Sequence, residues 1–243
     1  DGSGPGDAAL SSPQEEVEAW LASTDYHLSA IEAAGGPDAG AIVRGVPELA
    51  TGAAQSLALR YVRAARTDAE ALPEGALRAA LAREGPDPAR LAAATGQSMA
   101  RMLRRLATLA PLEGARAFGL IICDASGTFT FRRPVEGFAF PRFGAACPLW
   151  PLFEALRQPM VPLRRHVETA GRLPRRFLTF SWCELASPEG FDGPQVAMAM
   201  MLITPEASPP QAGVARVVGA TCRTCPRASC EARREPSILA EAR

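Results

Sequence analysis

The chain contains no lysine and no asparagine; all 26 of its basic residues are arginine. Together with abundant alanine, that bias reads as the mark of a GC-rich genome, so arginine number alone argues for no particular partner. Acidic residues also number 26, and the formal charge cancels. A zero balance argues against a chain that grips nucleic acid by bulk charge. Histidine is scarce: only His27 and His166 occur. Neither lies in a nucleophile–base pattern, and there is no Gly-rich phosphate loop or His-Glu-x-x-His. Acidic pairs such as Glu15-Glu16 belong to a helix start. The reading is therefore not an enzyme, with no catalytic residue assigned. No apolar run approaches the ~18 residues that span a bilayer. The opening Asp1-Gly2-Ser3-Gly4-Pro5-Gly6-Asp7 has no signal-peptide pattern, so a cytoplasmic location without membrane is expected.

What is present is enough for a core. The 243 residues are 47% hydrophobic, sufficient for one large or two smaller domains. Six cysteines occur: Cys123, Cys147, Cys183, Cys222, Cys225 and Cys230. In a chain this long with no signal segment they read as metal ligands or free thiols, not disulfides.

The texture is helical first. Residues 1–12 read as a disordered tail. Ser12-Pro13-Gln14-Glu15-Glu16 is a helix start, with a serine cap, proline in the first turn and acids near the positive end. Val17, Trp20, Leu21, Leu28 and Ile31 continue its apolar spacing to a stop at Gly35-Gly36-Pro37. Further helices are expected over about 47–66, 74–84 and 87–109. Within the last, Leu91–Ser98 and Met99–Leu106 have the look of a helix-turn-helix, though an ordinary helical hairpin with a solvated arginine face is the favoured reading. Near Pro111 the pattern changes to strands. Ala117–Cys123, a turn at Asp124–Gly127 and Thr128–Arg132 read as a β-hairpin. Further strands are expected at 176–183, 196–203 and 215–218, with Ser208-Pro209-Pro210-Gln211 as a linker or exposed loop. The predicted class is α+β. A helical domain over 13–110 precedes an antiparallel-sheet domain over 111–243, with the boundary near 110–115.

The last predicted strand runs into Cys222-x2-Cys225-x4-Cys230. Two cysteines separated by two residues can reach one metal, and the third adds another soft ligand. Three thiolates are one short of a closed zinc site or a cubane iron–sulfur cluster. Cys147 is the favoured fourth ligand. It precedes Pro148–Leu156, which reads as a helix with proline in its first turn, and a helix N-terminus lowers a thiol's pKa. Cys123 and Cys183 sit in apolar strands and read as small buried hydrophobes. His166, after Arg164 and Arg165, suits a solvated helix face; His27 reads as an ordinary helix histidine.

The run Phe140-Pro141-Arg142-Phe143-Gly144-Ala145-Ala146-Cys147-Pro148-Leu149-Trp150, with the cysteine loop, resembles the short-chain fatty acyl transcriptional regulators. The resemblance covers roughly residues 98–235. The tail departs from it, reading Glu231-Ala232-Arg233-Arg234-Glu235-Pro236 where the family commonly has Gln/Ala-Arg-Ala-Phe-Pro-Pro. The family implies an Xre-type helix-turn-helix ahead of a C-terminal sensor; that DNA-binding domain does not match this chain. It also implies a [4Fe-4S] cluster on Cys147, Cys222, Cys225 and Cys230, with CoA or a short-chain acyl-CoA in the same domain, and a homodimer or other homo-oligomer. A structural Zn2+ on the same four thiolates suits the spacing equally. CoA phosphates call for arginines and its adenine for apolar walls. Arg116, Arg132, Arg133 and Arg142, with Phe140 and Trp150, are the candidates.

Overall fold

The computed structural model describes residues 12–33, 35–110, 118–141, 144–206 and 214–239. Residues 1–11 of the expected tail, the linker at Ser208–Gln211 and the candidate ligands Arg116 and Arg142 lie outside them, while Ser12 belongs to the start of the first helix. The chain divides into two compact units, Asp1–Ala79 with Thr108–Ala110, and Ala80–Ala107 with Pro111–Arg243. That division puts the helices over 80–107 with the sheet, whereas the sequence suggested a boundary near 110–115.

In the first unit, α1 (Pro13–Ser23) opens with the expected cap: Ser12 and Glu15 exchange hydrogen bonds with each other's backbone. The helix ends earlier than predicted. Asp25 and Tyr26 adopt positive φ, which breaks the apolar stripe, and Ile31 falls in a separate short helix, α2 (Ser29–Glu32). A further short helix, α3 (Ala39–Val43), precedes α4 (Gly52–Ala71). The buried Glu16 carboxylate accepts from the Thr51 N–H at 2.9 Å and its hydroxyl at 3.2 Å, tying α1 to the start of α4. Ala54, Ala58 and Val62 are fully buried along one face of α4.

Helix α5 (Glu74–Glu84) crosses from the first unit to the second. In the second, α6 (Pro88–Thr95) is capped by Asp87, whose carboxylate accepts from the Ala89 and Arg90 amides. Gly96 at φ 65° makes the left-handed turn into α7 (Met99–Thr108). The two helices form the suspected pair, but α7 buries Met102, Leu103, Arg105, Leu106 and Ala107.

Six strands build one sheet in the order β2-β1-β5-β4-β3-β6. The predicted hairpin is β1 (Gly119–Asp124) and β2 (Phe129–Arg133), closed by Asp124 accepting from the Ser126 and Thr128 amides. Strands β4 (Arg176–Ala186) and β5 (Val196–Pro205) pair antiparallel along their whole length. Strand β3 (Leu163–Thr169) replaces the helix expected around His166. Leu163 and Val167 face inward at strand spacing, and the polar residues between them are more exposed. Strand β6 (Arg216–Val218) pairs with β3 in parallel, so the sheet is mixed, not wholly antiparallel. Helix α8 (Pro151–Arg157) covers one face, over Cys123, Val167, Phe177, Cys183, Met201 and Ile203. Among the described residues no helix is long and apolar enough to cross a membrane.

Candidate metal centre

Strand β6 delivers the chain to Gly219-Ala220-Thr221 and then into the cysteine loop. The segment carrying Cys147 approaches from the opposite direction in sequence. The Cys147 N–H donates to the Ala220 carbonyl at 2.9 Å. Three residues on, the fully buried Trp150 indole N–H donates to the Gly219 carbonyl at 2.8 Å. These two bonds splice the turn before α8 onto the end of β6. As a result Cys147, Cys222, Cys225 and Cys230 all line one small pocket, with Pro148, Gly219, Arg227 and Arg233.

The loop is tightly folded. The Cys225 N–H donates to the Cys222 carbonyl at 3.3 Å, and Thr221 and Thr224 share a hydroxyl contact of 3.2 Å. A Cβ on Gly219 would lie 3.0 Å from the Cys225 sulfur, so the absence of a side chain there lets the loop close. The segment after the loop folds back over it. The Arg233 guanidinium donates to the Cys222 carbonyl at 3.1 Å and to the Arg227 carbonyl. The Arg234 N–H donates to the Cys222 sulfur at 3.5 Å, and its guanidinium donates to the carbonyls of Ala145, at 3.2 Å, and Ala146.

The thiols differ. For Cys222, burial pushes the pKa up, but the Arg234 amide and guanidinium and the Glu235 amide outweigh it and the net displacement is downward. For Cys147, burial wins and the thiol is pushed up, against the amides of Leu149 and Gly219 and together with the charges of Cys225 and Cys222. That corrects the expected lowering. Helix α8 begins at Pro151 with Trp150 as its N-cap, so Cys147 stands short of the positive helix end. Cys123 and Cys183 are fully buried in β1 and β4, as small apolar residues. Burial pushes Cys123 up to about 12.

Four soft thiol donors meeting in one pocket fit, by chemistry, tetrahedral zinc or a cubane cluster. Among the described residues no group of three or more His, Cys, Asp or Glu side chains is placed to hold a metal ion as it stands.

The other candidates fall elsewhere. Trp150 stacks on Phe129 with centroids 6.1 Å apart and lies 5.3 Å from Phe138, inside the core. Phe140 packs against that core. Arg133 is buried, and Arg132 donates to the Pro141 carbonyl at 3.3 Å. His166 meets Glu206 across the sheet and His27 meets the Thr108 carbonyl. Sequence reasoning missed Arg227, Arg233 and Arg234. Their partners are backbone carbonyls, and those of Ala145, Ala146 and Val217 come from other segments, which no local pattern reveals.

The family model described as "Short-chain fatty acyl coenzyme A regulator, C-terminal" matches residues 113–243. This chain belongs to that family. The match takes in the whole sheet, α8 and the cysteine loop. A propionyl-CoA carboxylase regulator from Cereibacter sphaeroides is 31% identical over 165 residues, 63% of this chain and 35% of the relative. A solved Mycobacterium tuberculosis transcriptional regulator is similar in fold, with a TM-score of 0.68 at 23% identity, over 84% of this chain and 65% of that one. The chain thus spans about a third of the length of the curated relative, 35%. These family relatives are named for regulation and not for catalysis.

Proposed function

We propose that this chain is the effector-sensing part of a bacterial transcriptional regulator of short-chain acyl-CoA metabolism. In this reading Cys147, Cys222, Cys225 and Cys230 hold a [4Fe-4S] cluster, and the same unit binds CoA or a short-chain acyl-CoA. The observation that carries it is the convergence of the four cysteines on one pocket, from segments roughly seventy positions apart, within the residues that match the regulator family. The coordinated metal would reinforce the two hydrogen bonds that join the turn before α8 to the end of β6. The whole regulator would work in the cytoplasm as a homo-oligomer, reading DNA through a helix-turn-helix domain that this chain does not match. Acyl-CoA binding or cluster loss would then shift the balance between its DNA-binding states.

The test is anaerobic purification followed by iron, sulfide and zinc analysis and a UV–visible spectrum. A brown protein with four irons and four sulfides per chain is the expected result. Colourless protein with one zinc would replace the cluster by a structural zinc site on the same four thiolates, and protein with neither metal would sink the centre. Mass spectrometry of small molecules released from the same protein is expected to show CoA species. A Cys225→Ala protein that kept the full metal content would also contradict the assignment.

A further inference from the structure

Three arginines gather at the four-cysteine pocket. Arg227 and Arg233 line it, and the Arg234 amide reaches the Cys222 sulfur at 3.5 Å. Their guanidinium groups donate to backbone carbonyls, Arg227 to Val217, Arg233 to Cys222 and Arg227, Arg234 to Ala145 and Ala146, and the Arg234 guanidinium also reaches the Cys222 sulfur. Among the described residues none of the three faces a carboxylate. Arginines elsewhere in the same unit do: Glu154 takes both Arg165 and Arg216, and Glu136 takes Arg175. A carbonyl satisfies a guanidinium's N–H groups but leaves its charge uncompensated. Three guanidinium charges therefore lie at or beside the pocket with no carboxylate partner among the described residues, an arrangement that favours an anion within it.

The donor set supplies one. When four thiols coordinate a divalent metal or a doubly charged [4Fe-4S] core, each releases its proton to solvent and the metal–sulfur bonds replace the S–H bonds. The product carries a net charge of about −2. We propose that Arg227, Arg233 and Arg234 are the counter-charge of this anionic four-thiolate centre. The inference rests on the reading of the four cysteines as one centre. Arg234 has a second role as a positioning residue. Its amide holds the sulfur of Cys222 while its guanidinium holds the two carbonyls just before Cys147, so one residue spans both halves of the ligand set.

The test is anaerobic Co(II) titration of the reduced, metal-free chain, followed by thiolate-to-cobalt absorption. Arg233→Met and Arg234→Met remove the charge and keep much of the apolar stem. Arg233→Lys and Arg234→Lys keep the charge. The Met variants are expected to bind Co(II) about tenfold more weakly or worse, the range seen when groups supporting metal ligands are removed. The Lys variants are expected to stay close to the parent chain, and melting of each metal-free protein separates the loss of carbonyl hydrogen bonds from the loss of charge. The inference is overturned if the Met variants bind as tightly as the parent, or if Lys and Met variants lose affinity equally, which would mark a packing role. A parent chain that shows no four-thiolate cobalt absorption overturns the centre itself; a parent that binds beside unaffected Met variants overturns the counter-charge alone.

Discussion

Gly219 decides how closely the cysteine loop can lie against the end of β6. With 3.0 Å between its hypothetical Cβ and the Cys225 sulfur, and 3.1 Å to the Cys225 Cβ, an alanine forces the cysteine aside by a few tenths of an ångström. Gly219→Ala is expected to cost about 1 kcal/mol of stability from overpacking. It should also weaken metal uptake, since a sulfur displaced within a shared pocket no longer meets the other three. Thermal melting and Co(II) titration of the same variant check both effects; unchanged affinity would mean that the loop absorbs the displacement without moving the Cys225 sulfur out of place. The neighbouring thiols illustrate which residue roles a sequence displays. Cys123 and Cys183 were legible as buried hydrophobes from their apolar flanks. The behaviour of Cys147 was not, because its burial depends on Trp150, Gly219 and Ala220, of which only the first is near in sequence.

At the level of elements, the contact of α8 with the sheet edge centres on Glu154. The buried carboxylate takes Arg165 of β3 at 2.5 Å and Arg216 of β6 at 2.8 Å. Arg216 also reaches the Leu149 carbonyl at 3.3 Å. Burial pushes the Glu154 carboxyl up, but hydrogen bonds from Arg165 and Arg216 and their charges outweigh it, so its pKa is lowered in the fold. A carboxylate lowered in the folded state contributes stability above its unfolded pKa, about 4.3. That contribution is lost as pH falls through the folded value. Glu154→Gln should therefore cost about 2 kcal/mol at neutral pH, discounted because both arginines keep partial access to water. The difference should shrink toward zero in acid; melting curves from pH 7 to pH 3 would show it, and a gap that stayed constant would contradict the assignment. Strand β3 shows why one element escaped the sequence reading. Leu163-Arg164-Arg165-His166-Val167-Glu168-Thr169 carries only two inward apolar residues, and its polar side chains meet partners on other elements: Arg165 with Glu154, His166 with Glu206. A strand stabilised by distant charges resembles a surface helix when read alone. The hairpin of β1 and β2 was legible because its turn is local, held by Asp124 on the amides of Ser126 and Thr128.

For the molecule as a whole, the four-cysteine centre would close a loop of roughly seventy-five positions between Cys147 and Cys222. Closing a loop of that length is worth on the order of 4 kcal/mol by chain-entropy reasoning. Removing the metal with a chelator should lower the melting temperature of the metal-loaded chain by several degrees, and a Cys225→Ala protein should melt at the same temperature with or without chelator. If the parent chain melted identically in both conditions, the centre would not be a structural fastening. The coarse α+β order was visible from periodicity and turn residues. The parallel pairing of β3 with β6 was not, because it joins Val167 to Arg216 across the whole β4–β5 hairpin.

That pairing also has a kinetic consequence. The β4–β5 hairpin brings together residues close in sequence, from Ala186 with Val196 outward to Phe177 with Pro205. Strand β6 has β3 as its one neighbour in the sheet, and that pairing spans the β4–β5 hairpin in sequence. Local pairings form before distant ones, because each distant contact must first meet the entropy of its loop. On that order the three loop cysteines are expected to reach Cys147 late in folding, so that any metal they took up would meet a sheet already built. Pulse-labelled hydrogen exchange during refolding should protect the β4 and β5 amides before the Ala170 N–H, which donates to the Val218 carbonyl. Protection of Ala170 first would reverse that order.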